Sequence, residues 1–597
     1  MISIRSIFLF LVVSNLTALF VISYNYYTFG NPHEGELQKT PQFSEVLLAE
    51  PHKLLFNVKH KFDNPQLAYK VLSKLDVFIP VADSFYVKKE GVGKPKFNQS
   101  YLGLKNEDDY CAKHRQAIVN NPEIIFEQIN FITDSGPTTL LRNKVFQAVG
   151  TDIQPNIVPS MPAAQKNAFT HAIRPDVNLF FTGDSMYEYK SLGQHFSCLS
   201  QMSNHVPGHS VLNRKDGVAA SIAKYSKKFV NKPECFNHGK FFPQTWALSN
   251  KKECDDFFRI INSAEYKIQK DERRIVYIRK VGSGSHRGEG VQPVNAKEEK
   301  ELRKLYNNGE LCGTVDKNYL IQHYVHNPLL LEGRKFDFRM YMLIASTNPI
   351  IAYYHDGFLR VSIPKYDIQS DDKNVLLTNT ALAESIFKEA KKGKLYNGMG
   401  EEELRASQMW TFNRLQSYLL EQKKIDDPNW LDNYLRPEFK KAMIHLLRAT
   451  YSNFYRNSSI YELYGVDFLM DDDLHLWFLE ANSGPMFTGT TEEKEKFAVK
   501  MLTDHLEIVT GLLKSRMKRA INYVNRLIAD KSAVAGKKGD VEIKDLDQKI
   551  REFQEITKNY FEPEYEPLRT NGFSKIMDEN YHSYQRYNNL LEKDCLF

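Results

Sequence analysis

Asp467, Glu480 and Asn482 have types and spacing suited to holding a divalent cation. They lie in YELYGVDFLMDDDLHLWFLEANSGPM (461–486), where two apolar runs flank Asp471-Asp472-Asp473. Such runs around a polar turn predict a β-hairpin. Side chains alternate along a strand, so Glu480 and Asn482 share a face. With a two-residue loop at Asp472-Asp473, Asp467 falls opposite Phe478, on that same face and diagonal to Glu480. Three hard oxygen ligands then converge inside an apolar hairpin. Buried carboxylates repel unless a cation lies between them. Mg²⁺ takes one or two carboxylates and leaves positions for phosphate. The competing readings are carboxylates in solvent or paired with arginine. An EF-hand is excluded because its loop glycine is missing.

Two further stretches carry cations. RRIVYIRKVGSGSHRGEGVQPV (273–294) predicts a strand, a glycine-rich loop and a second strand, with Lys280 leading into the loop. Glycines such as Gly288 and Gly290 let backbone N–H groups approach phosphate. The loop lacks the GK[ST] of a P-loop and leads into VQPV rather than a Rossmann helix. In KFDFRMYML, Lys335, Asp337 and Arg339 recur every second residue. Period-2 alternation sets them on one face and Phe336, Phe338 and Met340 on the other. A cation–anion–cation row suits a polyphosphate and a developing negative charge; the alternative is a solvent-facing strand whose charges pair with each other. YYHDGFLRVS (353–362) predicts a turn at Asp356-Gly357, then Arg360 in a strand, and Thr378-Asn379 adds small polar groups. Arg214 and Lys215 precede a helix that Asp216 could cap, where their charge could meet phosphate.

The elements that must position these residues belong to a chain of 597 residues, long enough for three or four domains. Hydrophobic content of 42%, charged content of 25% and a net charge of +6 describe a globular protein, with nothing pointing to nucleic acid. The six cysteines are scattered with no C-x-x-C pair, so neither a zinc site nor a disulfide framework is expected. Ile7 to Ile22 is almost wholly apolar. It reads as an uncleaved membrane anchor (residues 7–24) rather than a cleaved signal. Arg5 before it and Glu34 and Glu36 after it would place the body across the membrane, making Asn98 and Asn457 candidate glycosylation acceptors. Domains are expected at 1–29 (anchor), 30–60 (linker), 61–200 (small α/β domain), 201–510 (catalytic region) and 511–597 (helical extension). Within 71–87 the apolar runs look strand-like, as do VNLFF (177–181) and FFPQTWAL (241–248). Residues 497–530 predict a long amphipathic helix or helix pair, whose Lys514, Arg516, Lys518 and Arg519 read as a solvated face. Residues 532–540 read as a linker, 541–561 as a further helix, and the remainder as a tyrosine-rich tail.

Taken together, NHVPG…LNRKD (204–216), FFPQTWAL, the SGSHRGEGV loop (283–291), IQHYV (321–325), PLLLEGRKFDFRMYML (328–343), DGFLR (356–360), LLTN (376–379) and GVDFLMDD…WFLEANSGP (465–485) resemble the tubulin–tyrosine ligase-like family of ATP-grasp enzymes. The resemblance implies an α/β (α+β) ATP-grasp fold using ATP and Mg²⁺. By it, Lys215 and Lys280 contact phosphates, Gln322, His323, Tyr324 and Val325 frame the adenine, and Lys335 and Asp337 reach the nucleotide. Thr378, Asn379, Gly288 and Gly290 complete the nucleotide site. Asp467, Glu480 and Asn482 hold Mg²⁺, and Arg339 and Arg360, with Lys335, serve the reacting carboxylate or its phosphate. The implied reaction joins a free amino acid to a protein carboxylate, on tubulin or another acidic tail, through an acylphosphate. Glutamate is the expected amino acid, with tyrosine and glycine open. Three positions depart from the family pattern. Lys280 aligns only with a one-residue insertion, Leu376 replaces a common histidine, and His323 replaces a common lysine. Cytoskeletal or ciliary association follows from the resemblance, but a lumenal body would set tubulin aside. Two alternatives stay open: an inactive membrane-tethered microtubule-binding protein, and a ligase acting on a lumenal peptide or small molecule.

Overall fold

The computed structural model describes residues 61–76, 111–133, 144–145, 154–157, 178–181, 198–579 and 595, except 207, 283–289, 315–317, 379–382, 397, 457, 486–490, 531–533, 537–540 and 560–569. The described residues belong to one unit, Val58–Phe597. Four short strands come first: β1 (Gln128–Thr133), β2 (Gln154–Ile157), β3 (Leu179–Phe181) and β4 (Met202–Asn204). They pair in parallel in the order β2-β1-β3-β4. The next four are β5 (Thr245–Ala247), β6 (Tyr277–Val281), β7 (Val291–Pro293) and β8 (Tyr319–His323), an antiparallel sheet in the order β5-β8-β6-β7. The remaining strands flanking the site are β9 (Leu330–Leu331), β10 (Arg334–Thr347), β11 (Ile350–Val361), β12 (Met409–Trp410), β13 (Ile460–Met470) and β14 (Leu476–Ser483). They form an antiparallel group, β12-β11-β10-β13-β14, that continues through β13 and β4 into the parallel strands. The result is a mixed α/β architecture consistent with ATP-grasp.

The alternation in β10 makes the large sheet two-sided. Phe336, Phe338, Met340, Met342 and Ile344 are buried in the main core. The helices Lys215–Ser226 and Arg436–Thr450 cover that face with Val218, Ile222, Tyr225, Phe439, Met443 and Leu447. Each such side chain, once buried, contributes about 1.5–3 kcal/mol. The four-stranded sheet has a separate core of Trp246, Leu248, Cys254, Phe257, Phe258 and Ile321. Two of the three helices that flank it are capped by asparagine. Asn250 accepts from Lys252 and Glu253 N–H at the start of Lys251–Ile260, and Asn295 accepts from Glu298 N–H at the start of Ala296–Asn307.

Several expectations need correction. Residues 71–76 belong to the helix Pro65–Asp76, which buries Val71, Leu72 and Leu75 at helical spacing. Asp356-Gly357 is not a turn. It is a bulge inside β11, where the register moves between Arg339↔Phe358 and Tyr341↔His355. A Cβ on Gly357 would lie 1.6 Å from the Arg339 carbonyl oxygen, so only glycine fits. Asp216 is not a cap either. The N-cap is Arg214, and Asp216 lies in the first turn, where it accepts from Arg214 Nε (3.0 Å) and Asn318 Nδ2 (2.7 Å).

Of the region 497–530, all but the C-cap Asp530 falls within one helix, Glu492–Ala529, and its basic cluster is not a solvated face. Lys514 is buried, and Arg516 donates to Ser459 Oγ (2.7 Å) and the Gln201 carbonyl (2.7 Å), tying the helix to the strands below. The tail supplies a strand, Phe573–Asp578, on the edge of β11. Cysteines also depart from expectation: Cys111–Cys198, Cys235–Cys595 and Cys254–Cys312 are disulfides, separated by 87, 360 and 58 residues. Pairs that far apart leave no local spacing to read. The anchor at residues 7–24, Asn98 and Asn457 lie outside the described residues. Among the described residues, no helix is long and apolar enough to cross a membrane.

Candidate active site

The hairpin β13–β14 has a three-residue loop, Asp472–Leu474, closed by Asp471 N–H donating to the His475 carbonyl (3.0 Å), with Leu474 at φ 62°. This differs from the two-residue loop expected. An odd loop shifts the register by one, pairing Phe468 with Phe478. Left uncorrected, that register would set Leu479 beside Asp467. A bulge at Leu479 restores the face, so Asp467 pairs directly with Glu480, and Gly465 with Asn482. The bulge also explains why Phe478 and Ala481, three apart, both reach the core. The three ligand candidates therefore share a face, but through a bulge rather than simple alternation.

Register then lines charges across the sheet. Asp337 on β10 pairs with Arg360 on β11, and Arg339 on β10 with Asp467 on β13. Arg360 Nε and Nη2 donate to the two Asp337 oxygens (2.6 and 2.8 Å), and Nη2 also reaches Asp467 Oδ2 (2.8 Å). Arg339 Nε and Nη2 donate to Asp467 Oδ1 and Oδ2 (2.5 and 3.0 Å). Thr378 Oγ donates to Asp337. Gly465 makes room for this: a Cβ there would lie 3.1 Å from Arg339 Cδ. Burial pushes the Asp337 carboxyl up, against the pull of Arg360. Arg360 is pushed down by burial yet raised overall by Asp337 and Asp467. Arginine pairing, one of the competing sequence readings, is thus present at Asp467.

The lysines are held differently. Lys215, the first residue of its helix, lies 3.4 Å from Glu480 Oε2, and Asn482 Nδ2 donates to Glu480 Oε1 (3.1 Å). Burial would raise the Glu480 carboxyl, but Lys215, Lys280, Asn482 and Arg360 hold it at about 2. Lys280 is buried on β6, and burial pushes its ammonium down to about 8, Glu480 opposing and Lys215 assisting. Gly282, which follows, accepts from Asp216 N–H (3.4 Å), joining the loop's start to the Lys215 helix. Lys335 is buried too, donating to the Tyr324 hydroxyl (2.8 Å) and the Leu376 carbonyl (3.0 Å), and burial pushes it to about 7.

The hinge residues divide. Gln322 turns its amide to Thr245 Oγ (2.9 Å), and His323 N–H donates to the Gln244 carbonyl (2.8 Å). Burial, with Arg273 and His326, pushes His323 down to about 4, so the ring is neutral. Tyr324 is buried against Lys335, and Val325 is buried beside it in sequence. Gly290 accepts from Val281 N–H (2.9 Å) as β7 begins, while Gly288 and Asn379 lie outside the described residues.

These residues fit the groups the family implies. The donor set Asp467, Glu480 and Asn482 is all hard oxygen, and Lys215, Lys280 and Lys335 are cations whose charge suits phosphate.

Sequence reasoning missed three features. One is the Leu376 carbonyl, a backbone group that no residue type announces. Another is Lys494 on the long helix, which burial pushes to about 8 beside Arg360, Arg339 and Arg405. The third is Glu462, buried between His205 (3.2 Å) and His209 (3.4 Å) and accepting from Val206 N–H (3.0 Å). That cluster braces the turn ahead of Lys215, and an acid inside the run YELYGV was its one signal.

Comparison with known proteins identifies the family. The model of the tubulin-tyrosine ligase family matches residues 194–519. The chain is 27% identical over 266 residues to a tubulin monoglycylase of Homo sapiens, covering 44% of this chain and 32% of the relative. It is 29% identical over 259 residues to a protein polyglycylase of Macaca fascicularis, covering 41% and 38%. It is 25% identical over 436 residues to a probable beta-tubulin polyglutamylase of Tetrahymena thermophila, covering 69% and 32%. The matches thus span about a third of these relatives' lengths. More than half of the sequence, including every strand of the site, lies within the family match, and the chain belongs to the tubulin-tyrosine ligase family.

Proposed function

We propose that this chain is an ATP- and Mg²⁺-dependent ligase that joins an amino acid to a carboxylate on an acidic protein tail. The observation that carries this reading is the cross-strand row Arg360–Asp337 and Arg339–Asp467–Glu480, with Lys215 beside it and Lys280 held electrostatically to the same carboxylates. A carboxylate is a poor electrophile. Its oxygen attacks the γ-phosphorus of ATP and ADP leaves, giving an acylphosphate; the amine nitrogen then attacks the acyl carbon and phosphate leaves. Lys215, Lys280 and Lys335 hold the polyphosphate, and burial keeps water from competing for it. Each guanidinium has five donors, and Arg339 commits two and Arg360 three hydrogen bonds to Asp337 and Asp467. Both therefore retain donors for an incoming oxyanion, and the carboxylates fix their aim. Asp467, Glu480 and Asn482 would hold Mg²⁺, which neutralises phosphate charge when bound.

The relatives' names divide between glycylases and a polyglutamylase, and glycine and glutamate are the amino acids proposed here; two of the three names specify tubulin, which enters the test as one candidate acceptor. The test is transfer of labelled glutamate, glycine or tyrosine to a glutamate-rich peptide and to tubulin, with Mg·ATP and phosphate release followed together. Transfer that needs Mg·ATP and is lost in Glu480→Gln supports the reading. Equal behaviour of both proteins overturns it.

A further inference from the structure

The cysteines carry an inference about where this ligase works and what it meets there. Every cysteine of the sequence is paired. Cys111–Cys198 and Cys254–Cys312 have Cα–Cα distances of 5.5 and 5.4 Å, at the usual spacing of a bridge. Neither pair is local in sequence, so the fold itself brings together thiols from unrelated elements. Cys198 and Cys254 are fully buried and Cys111 nearly so. A buried free cysteine ordinarily packs as a small hydrophobe among other apolar groups. Here no cysteine is left for that role.

The bridges also brace both halves of the site. Cys254–Cys312 fastens the helix Lys251–Ile260 to the segment ahead of β8, in the sheet that carries Lys280. Cys111–Cys198 fastens the helix Ala112–Asn120 to the turn ahead of β4, which pairs with the strand of Asp467.

Such bridges persist in oxidising compartments and are rare where glutathione and thioredoxin keep thiols reduced. We infer that this body folds and works in an oxidising compartment, and that its acceptor is an acidic polypeptide resident there, a lumenal, secreted or surface protein rather than cytosolic tubulin. Each bridge forms by exchange with an oxidised dithiol carrier. Two thiols give up two electrons and two protons, and the carrier's disulfide is reduced. The apolar run Ile7–Ile22, with Arg5 ahead of it, points the body to the same side. The acceptor clause rests on the proposed ligase activity; the compartment clause does not.

The test has two arms. In the first, the full chain is expressed in eukaryotic cells, acid-quenched, blocked with N-ethylmaleimide under denaturing conditions, reduced, labelled with a second maleimide and mapped by mass spectrometry. Cys111, Cys198, Cys254 and Cys312 are expected to take only the second label, whatever the state of Cys235 and Cys595. First label on either pair overturns the inference. In the second arm, the purified oxidised chain receives Mg·ATP and labelled glutamate or glycine with either tubulin or lumenal protein released from washed microsomes. Transfer to defined lumenal proteins at least tenfold above transfer to tubulin is expected. Equal or greater transfer to tubulin overturns the acceptor clause. Absence of transfer to either, with protected thiols, defeats the ligase reading and leaves the compartment inference standing.

Discussion

The arginines and the lysines of the site are satisfied in opposite ways. Arg339 and Arg360 stand opposite or beside carboxylates on neighbouring strands, and their hydrogen bonds are made within the sheet. Lys280 and Lys335 are as deeply buried, but burial wins over their neighbours and both ammonium groups are pushed down, to about 8 and about 7. The arginines form a preorganised frame that costs little to reorganise during a reaction. The lysines form a surface whose charge is completed by an anionic ligand, and the protein carries that incompleteness as a cost to stability.

The largest effect expected from breaking this contrast is at Asp467. Asp467→Ala leaves Arg339 buried with its carboxylate gone and Arg360 short of one. Removing one member of a buried pair costs about 3–5 kcal/mol, so chemical denaturation should show a loss of that order together with loss of ligation. If stability is unchanged, the arginines have other partners and the frame is not built as described. Glu480→Gln comes next. Glu480 keeps 29% of its side chain exposed and faces Lys215 and Lys280 first, with Arg360 a weaker neighbour. Its substitution should cost less stability than Asp467→Ala and lower turnover about 10²–10³-fold, the scale of losing one electrostatic element of a site. A large stability loss would move Glu480 into the frame and blur the contrast.

Gly357→Ala sharpens it from the backbone side. The added methyl would meet the Arg339 carbonyl at 1.6 Å, and the bulge would have to shift at a cost of about 1–3 kcal/mol. Because Arg339 and Arg360 flank that bulge, ligation should fall further than the stability loss explains. Binding of Mg·ATP, read by calorimetry, should fall less. Equal losses in both would mean that the bulge serves folding alone.

The same contrast explains what could be read from the chain. Lys335, Asp337 and Arg339 were legible because period-2 alternation in β10 is uninterrupted and its other face is purely apolar. Asp467, Glu480 and Asn482 were grouped by that rule, yet the loop was one residue longer and the bulge at Leu479 compensated. Two register errors cancelled. Asp356-Gly357 has a turn's composition, but its neighbours on both sides pair in the sheet, and a close backbone approach rather than a reversal is what needs the glycine. The basic cluster on the long helix could not be read, because charge runs are usually solvated and only tertiary packing brings Arg516 to Ser459. The disulfides were illegible for a related reason: pairing depends on elements 58 or more residues apart.

The smallest effect expected is a pH slope, and it isolates the lysine side. In the folded chain Lys335 loses its proton near pH 7, because burial outweighs the attraction of Asp337 and Lys280 adds repulsion. In the unfolded chain it holds the proton to about pH 10.4. Below pH 7 both states are protonated and the cost of the buried charge is fully present. Between pH 7 and 10 the unfolded chain binds more protons, so stability rises with pH, by at most about 1.4 kcal/mol per unit. Above that window the slope vanishes. Lys335→Met removes the titrating group, and the difference between its stability and that of the parent should narrow steadily from pH 7 to pH 10. Mg·ATP should flatten the parent's slope as well, because a phosphate beside Lys335 raises the lysine again and restores the proton to the folded state. Parallel pH curves for parent and variant would place Lys335 with the arginines, charged and satisfied before any nucleotide arrives.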